Sequence, residues 1–588
     1  MLPFCLGQSS HQETPRLPIP KLQRVNHPIP AIVTQEAVRR LPRLALLLFC
    51  LAYALPGFVG RNPWRSADIT AFGYMRELAL GHTAWLTPKL MDVPLQIDAL
   101  LPYWLGAWSL WLSPSWIAPD FAVRIPFIAL LALSLAAVWQ AVYRLARSPA
   151  AQPVAFAFGG EARPADYARA MADGGLLAFI ACLGLAQLSH ETTPALAQMC
   201  FAALLFYAVA AAGTPRPSAI LSGAVGVLGL TLSGAPSQAM LIGAGSILIL
   251  LLDREGRPPH RALLWLAVPT LLAAALASGL DLWRWRLHWP PTDWARWNGL
   301  GSLLLWFTWP AWPLVLWTLW RWRRQLFSLQ LSRHLALPLW FALVTVGTTV
   351  LTPAGDRALL LALPALATLA AFALPTLDRS VSALVDWFTL LFFTSSAIVI
   401  WVVWIAMQTG WPPQPAANVA RLLPGFEPRF VILPFVFATL ATLAWIWLVR
   451  WRVGRHRSAI WKSLVLPAGG AALCWLLLTT LWMPALDHAR SFAPLVRKIE
   501  SLVRPADCIE TFGLSPGLMT GLAFHSDLRL EPTTDRASCP WLIVDQGLHS
   551  QTPEIISPAR WSRVMQMGHP RAGEEDIVIF QRLAADER

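Results

Sequence analysis

Residues 99–118 read Ala-Leu-Leu-Pro-Tyr-Trp-Leu-Gly-Ala-Trp-Ser-Leu-Trp-Leu-Ser-Pro-Ser-Trp-Ile-Ala. The stretch carries no charge and is long enough to be taken for a membrane span. Whether it crosses the bilayer or lies on it fixes the sidedness of everything that follows. The arginines decide. With 99–118 left out of the spans, Arg144/Arg147, Arg254/Arg257/Arg261, Arg321/Arg323/Arg324 and Arg450/Arg452/Arg455/Arg457 share one side with the basic N-terminal tail. That is the bias of a cytoplasmic face. Counting 99–118 as a span would invert every cluster after it. The segment, with Trp104, Trp108, Trp111 and Trp116, therefore reads as a Trp-rich interfacial helix on the outer surface.

The rest of the chain agrees with a bilayer. Of 588 residues, 56% are hydrophobic and only 13% are charged; the mean hydropathy is +0.50. These values exclude a soluble globular domain and a disordered chain. The net charge of +13 does not mark a nucleic-acid partner, because the basic residues are scattered between apolar runs. The 32 tryptophans suit interfacial anchoring. Thirteen apolar stretches read as spans: 42–60, 122–143, 174–189, 194–213, 217–233, 236–252, 262–280, 299–320, 335–352, 357–375, 384–408, 430–450 and 462–483. Between 217–233 and 236–252 the break is only Ser233-Gly234-Ala235-Pro236.

The expected fold class is an α-helical polytopic membrane protein in three parts. Residues 1–41 form a cytoplasmic tail with no apolar core, so the first span serves as an uncleaved signal anchor. Residues 42–483 form the membrane domain, including an outer loop at 61–121. Residues 484–588 form a small α/β domain on the periplasmic side. This tail holds more acidic than basic residues, unlike the membrane part. Helix is predicted at 491–503 and strand at 507–512, 541–545 and 576–583. Cys508 and Cys539 lie beside two of those strands in an oxidising compartment, so a disulfide is expected. The other cysteines are isolated, and no Cys/His cluster points to a metal; a divalent-ion requirement stays open.

Chemistry is sought at the outer membrane edge, where ionisable groups are few and a charge needs a reason. The first outer loop reads Arg61-Asn62-Pro63-Trp64-Arg65-Ser66-Ala67-Asp68. A helix starting near Ser66 or Asp68 would set Asp68 at its N-terminus beside Arg65, as a cap or as a general base. Ser189-His190-Glu191-Thr192-Thr193-Pro194 forms a second polar edge, as a turn or as an acceptor side. Arg357 enters a span from the outside and needs a partner: Asp356 or a phosphate. Arg284, Arg286 and Arg296 add cations among five tryptophans, suiting a headgroup or a sugar. Asp98 precedes the interfacial helix. No Walker loop, dinucleotide turn or nucleophile elbow is present, and no pair of related halves marks a secondary transporter.

This layout resembles the polyprenyl-phosphate-sugar-dependent membrane glycosyltransferases of the GT-C superfamily, in particular the protein mannosyltransferase and lipid A aminoarabinose transferase group. The matching segments are Pro63-Trp64-Arg65 through Phe72-Gly73, Ala107–Leu112, His190-Glu191, Trp309-Pro310-Ala311-Trp312-Pro313-Leu314, Arg357 through Pro364, and Gly410-Trp411-Pro412. The resemblance implies a GT-C-like bundle of about thirteen transmembrane helices in a bacterial inner membrane. It implies a sugar donor on a polyprenyl phosphate, an acceptor on lipid A, glycan or protein, and transfer with inversion. Asp68 would be the base. Arg357, Arg65, Arg284 and Arg286 would hold the donor phosphate, and His190, Glu191 and Asp98 would line the sugar or acceptor side. The chain departs from the family where Ala67-Asp68 replaces an Asp-Glu pair, where Ile97-Asp98-Ala99-Leu100 lacks a lysine, and where Pro194-Ala195 lacks an aspartate. A silent relative that binds polyprenyl phosphate or partners an active transferase, or a lipid transporter, are the alternative readings.

Overall fold

The structure is a computed structural model describing residues 29–90, 93–94, 99–213, 216–253, 260–283, 294–328, 331–351, 355–453, 459–533, 539–546, 560–567 and 576–583. Each of the thirteen apolar stretches contains helix. Five helices are long and apolar enough to cross a bilayer by themselves: Pro119–Ala146, Arg333–Leu351, Arg379–Thr409, Ile432–Arg452 and Lys462–Thr480. Shorter apolar helices, such as Pro194–Ala210, Pro217–Leu232 and Pro236–Leu252, pack between them. The chain is a polytopic helical membrane protein.

Proline sets the breaks. Residues 299–320, read from sequence as one span, form two helices, Trp294–Phe307 and Ala311–Arg321, bent by 86°. Pro310 stands between them and cannot donate a backbone hydrogen bond, so the ladder stops there. In the same way 357–375 divides into Gly355–Leu360 and Leu363–Ala371, with Pro364 at the second start. The sharp turn after Leu232 needs Gly234, whose φ is +86°. Close approach needs Gly226 in the Pro217–Leu232 helix: an added Cβ would lie 2.7 Å from the Leu205 backbone nitrogen. With no hydrophobic drive between helices in lipid, such backbone proximity is what packs them.

The segment that decided the topology is a 12-residue helix, Leu101–Leu112. Its Tyr103, Gly106 and Ala107 face is buried, whereas Trp111 is 56% exposed and Leu112 84%. It lies on the loop helix Ala67–Leu80: Gly106 abuts Met75, and Trp111 Nε1 donates to the Ala79 carbonyl at 2.7 Å. Trp104 Nε1 donates to the Trp85 carbonyl.

The C-terminal part carries a five-stranded mixed sheet in the order Arg529–Pro532, Cys508–Phe512, Trp541–Asp545, Ile577–Arg582, Trp561–Met567. The first three strands are parallel; the other pairings are antiparallel. Ala493–Val503 and Pro516–His525 are its helices. The strand Arg529–Pro532, the strand Trp561–Met567 and the helix Pro516–His525 were not read from the sequence. Ile69 of the loop helix enters the same core as Phe492, Val496, Leu518, Leu522 and Ile543. The loop helix is therefore clamped between the Trp-rich helix and this domain. All of these lie at one face of the helical bundle, called below the domain-bearing face.

Cys508 and Cys539 form a disulfide, 31 residues apart with a Cα–Cα distance of 5.5 Å. By chain entropy, closing a loop of that length stabilises a domain by about 3–4 kcal/mol. Cys539→Ser is expected to lower the domain's unfolding midpoint and to remove its sensitivity to dithiothreitol. An unchanged midpoint in the variant would show that the cross-link contributes nothing.

Candidate functional site

The site is built around the start of the Ala67–Leu80 helix. Asp68 lies in its first turn, where a carboxylate complements the helix dipole. It is almost fully buried, at 1% exposure. One carboxylate oxygen accepts from the Arg61 guanidinium at 2.6 Å and from the Trp64 backbone N–H at 3.1 Å. The other accepts from the Thr192 N–H and the Thr192 hydroxyl, both at 2.7 Å. Four donors fill the carboxylate's acceptor sites. Burial alone would raise its pKa, but Arg61, Arg124 and the Thr192 N–H outweigh that and hold it at about 2.

Arg61 is equally enclosed. Besides Asp68 it donates to the carbonyls of Gly57 at 3.0 Å, Asn62 at 3.2 Å and His190 at 2.7 Å. Its guanidinium also lies 4.7 Å from the Trp64 ring centroid. Arg124 is buried nearby and pairs with Asp120 at 3.1 Å. Sequence reading missed Arg61 and Arg124, although each stands at the same edge of an apolar stretch as Arg357. The argument that singled out Arg357, a cation against the positive-inside bias, applied equally to them.

His190 turns its ring inward against Tyr53, Phe58 and Trp475. The ring nitrogens face the carbonyls of Ala186 and Tyr53. Burial lowers its pKa to about 4, with the Ala186 and Tyr53 carbonyls opposing the shift. The close packing depends on Gly57, where a Cβ would come within 2.5 Å of the imidazole. The ring shapes the turn, and its backbone presents Glu191 and Thr192.

Glu191 has a different environment. Its carboxylate meets Arg357 at 3.1 Å and the Gln187 amide at 3.3 Å. Burial raises its pKa above the usual glutamate value, with Arg357 opposing and Asp68 reinforcing the shift. Arg357 is 27% exposed in its side chain. Its Nε is buried and has no partner among the described residues. The structure thus brings three separate segments together: Glu191 pairs with Arg357, and the adjacent Thr192 donates to Asp68.

Arg65 lies elsewhere. It donates to the carbonyls of Ala489 and Arg490 and stacks on Phe492, tying the loop to the C-terminal domain. Asp487 completes that tie by accepting from the Asn62 N–H at 2.8 Å, the Asn62 amide at 2.6 Å and Trp64 Nε1 at 3.1 Å. Asp98, Arg284 and Arg286 fall outside the described residues.

No family model matches the sequence, and no curated protein matches it. Solved structures do match its fold. The crystal structure of ArnT from Cupriavidus metallidurans bound to undecaprenyl phosphate superposes with a TM-score of 0.57 at 13% identity, covering 92% of this chain and 98% of that one. The same protein in the apo state gives 0.56 at 12% identity, covering 91% and 97%. ArnT is a lipid A aminoarabinose transferase of the GT-C class. A likeness that spans nearly the whole of both chains shows that this protein shares the fold of ArnT.

Proposed function

We propose that the protein is a bacterial inner-membrane glycosyltransferase that moves a sugar from a polyprenyl-phosphate donor to an acceptor on the periplasmic side, with inversion. The observation that carries this reading is the Glu191–Arg357 pair, a carboxylate of raised pKa beside a guanidinium whose buried Nε has no partner among the described residues. The match to a protein crystallised with undecaprenyl phosphate supports the donor class. Glu191 suits the proton acceptor better than Asp68 does. A general base works best with a pKa near the working pH and a free lone pair. Asp68 has neither, whereas Glu191 has the raised pKa.

In this reading the acceptor hydroxyl gives its proton to Glu191 as its oxygen attacks the anomeric carbon. The bond from that carbon to the phosphate oxygen breaks, and polyprenyl phosphate leaves. Arg357 stabilises the charge gathering on the phosphate, the kind of preorganised electrostatic help that dominates such transfers. Asp68 and Arg61 act as positioning residues that hold the 190–192 turn.

Incubating the purified protein with polyprenyl-phosphate sugars and outer-envelope lipid, glycan and protein acceptors tests this, read by mass spectrometry of the products. Transfer from at least one donor is expected; none from any donor would refute the reading. The proposed orientation puts the C-terminus in the periplasm. A reporter fused after Arg588 and active only outside the cytoplasm is expected to function, and activity of a cytoplasm-only reporter there would reverse the topology.

A further inference from the structure

A cavity of about 690 Å³ opens at the domain-bearing face, behind the strip that carries Arg61. That is the size of a site for a small organic ligand. Gly60 and Asn62 form one wall, whereas Arg61 between them turns inward to Asp68. A second wall is the segment 424–429, with Phe426, Glu427 and Arg429. The third is the helix Met483–Arg490 and the start of the helix Ala493–Val503, with Asp487, His488 and Arg497. Gly60, Glu427 and Arg497 are exposed at the rim, so the cavity opens to solvent. The way toward lipid between the helices Arg379–Thr409 and Ile432–Val453 is closed. Below Phe426 only about 30 Å³ remains, where Trp404 stacks on Phe435 with ring centroids 5.6 Å apart. The cavity therefore suits a water-soluble ligand and has no place for a hydrocarbon chain.

The walls offer donors and acceptors together. Neither Arg429 nor Arg497 forms an ion pair with a described residue. No side chain caps the first turn of Ala493–Val503, and Ala493 and Pro494 lie in the wall, so the positive end of that helix borders the same space. Beside it Ser491 is 3% exposed, and its hydroxyl has no partner among the described residues. These groups favour a carboxylate. A bare anion, however, would meet the carboxylates of Glu427 and Asp487. Both Asp487 oxygens are held by Asn62 and Trp64, but Glu427 forms no ion pair with a described residue. A carboxylate side chain can only accept, whereas a hydroxyl both donates and accepts, so hydroxyls suit a wall of mixed kind. Phe426, packed edge to face with the His488 ring at 5.5 Å, adds apolar surface for the C–H face of a sugar ring.

We propose that this cavity binds an acidic saccharide, a short water-soluble sugar chain that carries a carboxylate. The carboxylate lies at Arg497 and the uncapped start of Ala493–Val503. Sugar hydroxyls lie between Arg429, which donates to them, and Glu427, which accepts from them. A ring packs on Phe426. The site is separate from the Glu191–Arg357 pair, and the proposal does not rest on the transferase reading.

The test uses the full chain in nanodiscs and microscale thermophoresis. The probes are trisaccharides of galacturonic, glucuronic and mannuronic acid, each compared with its carboxyl-reduced counterpart. At least one acidic trisaccharide is expected to bind, with its reduced counterpart about ten-fold weaker, the scale of one charge-assisted hydrogen-bonded contact. Arg497→Gln should weaken the acidic probe about ten-fold and leave the reduced one unchanged. Glu427→Ala should weaken both. Arg497 and Glu427 are exposed, so neither replacement should shift the thermal unfolding profile. No binding by any acidic trisaccharide at millimolar concentration would overturn the proposal. Equal binding of the reduced counterparts would overturn its acidic half, and displacement by acetate alone at the same concentration would overturn its saccharide half. Binding that is unchanged in both variants would overturn the site. Because the readout is binding, it is independent of whether any sugar is transferred.

Discussion

Asp68→Ala is expected to destabilise the protein by about 3–5 kcal/mol, because it strips a buried guanidinium of its counter-ion. Arg61 is as enclosed as Asp68, and its other hydrogen bonds go to neutral carbonyls. Arg124 also draws on the same carboxylate. The 190–192 turn would lose the acceptor that holds Thr192, so activity should fall together with stability. Asp68→Asn keeps the shape but not the charge, and should show most of the same loss. Thermal unfolding in nanodiscs measures it. The double variant Arg61→Met/Asp68→Leu, which removes both charges, should recover part of the loss. Single variants as stable as the wild type would show that the ion pair does not hold this end of the molecule. The pH dependence has a defined sign. Asp68 has a depressed folded pKa of about 2 against about 3.9 unfolded. Its contribution is therefore present above about pH 4 and is lost as the pH falls toward 2, amounting to about 2 kcal/mol over that window.

Glu191→Gln should behave in the opposite way: an intact fold with transfer lowered about 10²–10⁴-fold, the usual effect of removing a general base. Gln retains the shape and can still accept from Gln187, so little stability is at stake. The loss should fall on kcat. Arg357→Ala should weaken donor binding as well, raising the donor KM, because the guanidinium is assigned to the phosphate. In the wild type, kcat should decline on the acid side, with a midpoint above the ordinary glutamate range, since burial raises the Glu191 pKa. In Glu191→Gln that acid limb should vanish. Glu191→Gln at wild-type rate, with Asp68→Asn folded but inactive, would return the proton-acceptor role to Asp68.

The membrane character and the positions of most helices, including one within 99–118, were legible from residue order alone. Hydropathy, arginine sidedness and tryptophan enrichment act locally or along the chain axis, and the bilayer imposes them on any sequence. The break at Ser233–Pro236 and the strands at 508–512, 541–545 and 577–582 were likewise written in local composition. So were the three segments that meet at the site, because a charge at a membrane edge is conspicuous by itself. The helix Pro516–His525 was not legible, since its apolar residues do not repeat on one face and much of it is buried against the loop helix and its neighbours. The bend at Pro310 required knowing that the two legs diverge rather than continue.

The division of labour among the site's side chains belonged to the tertiary structure alone. In sequence Asp68 read as the base and Glu191 as an acceptor-side residue. What separates them is which donors arrive: Arg61, Trp64 and Thr192 fill one carboxylate, while among the described residues Arg357 and Gln187 reach the other. Arg65 and Arg357 were equal as cations, yet backbone carbonyls more than 420 residues away engage the first. A residue's type sets what it can do chemically. Its hydrogen-bond partners and its desolvation, supplied by distant parts of the chain, set what it is left free to do.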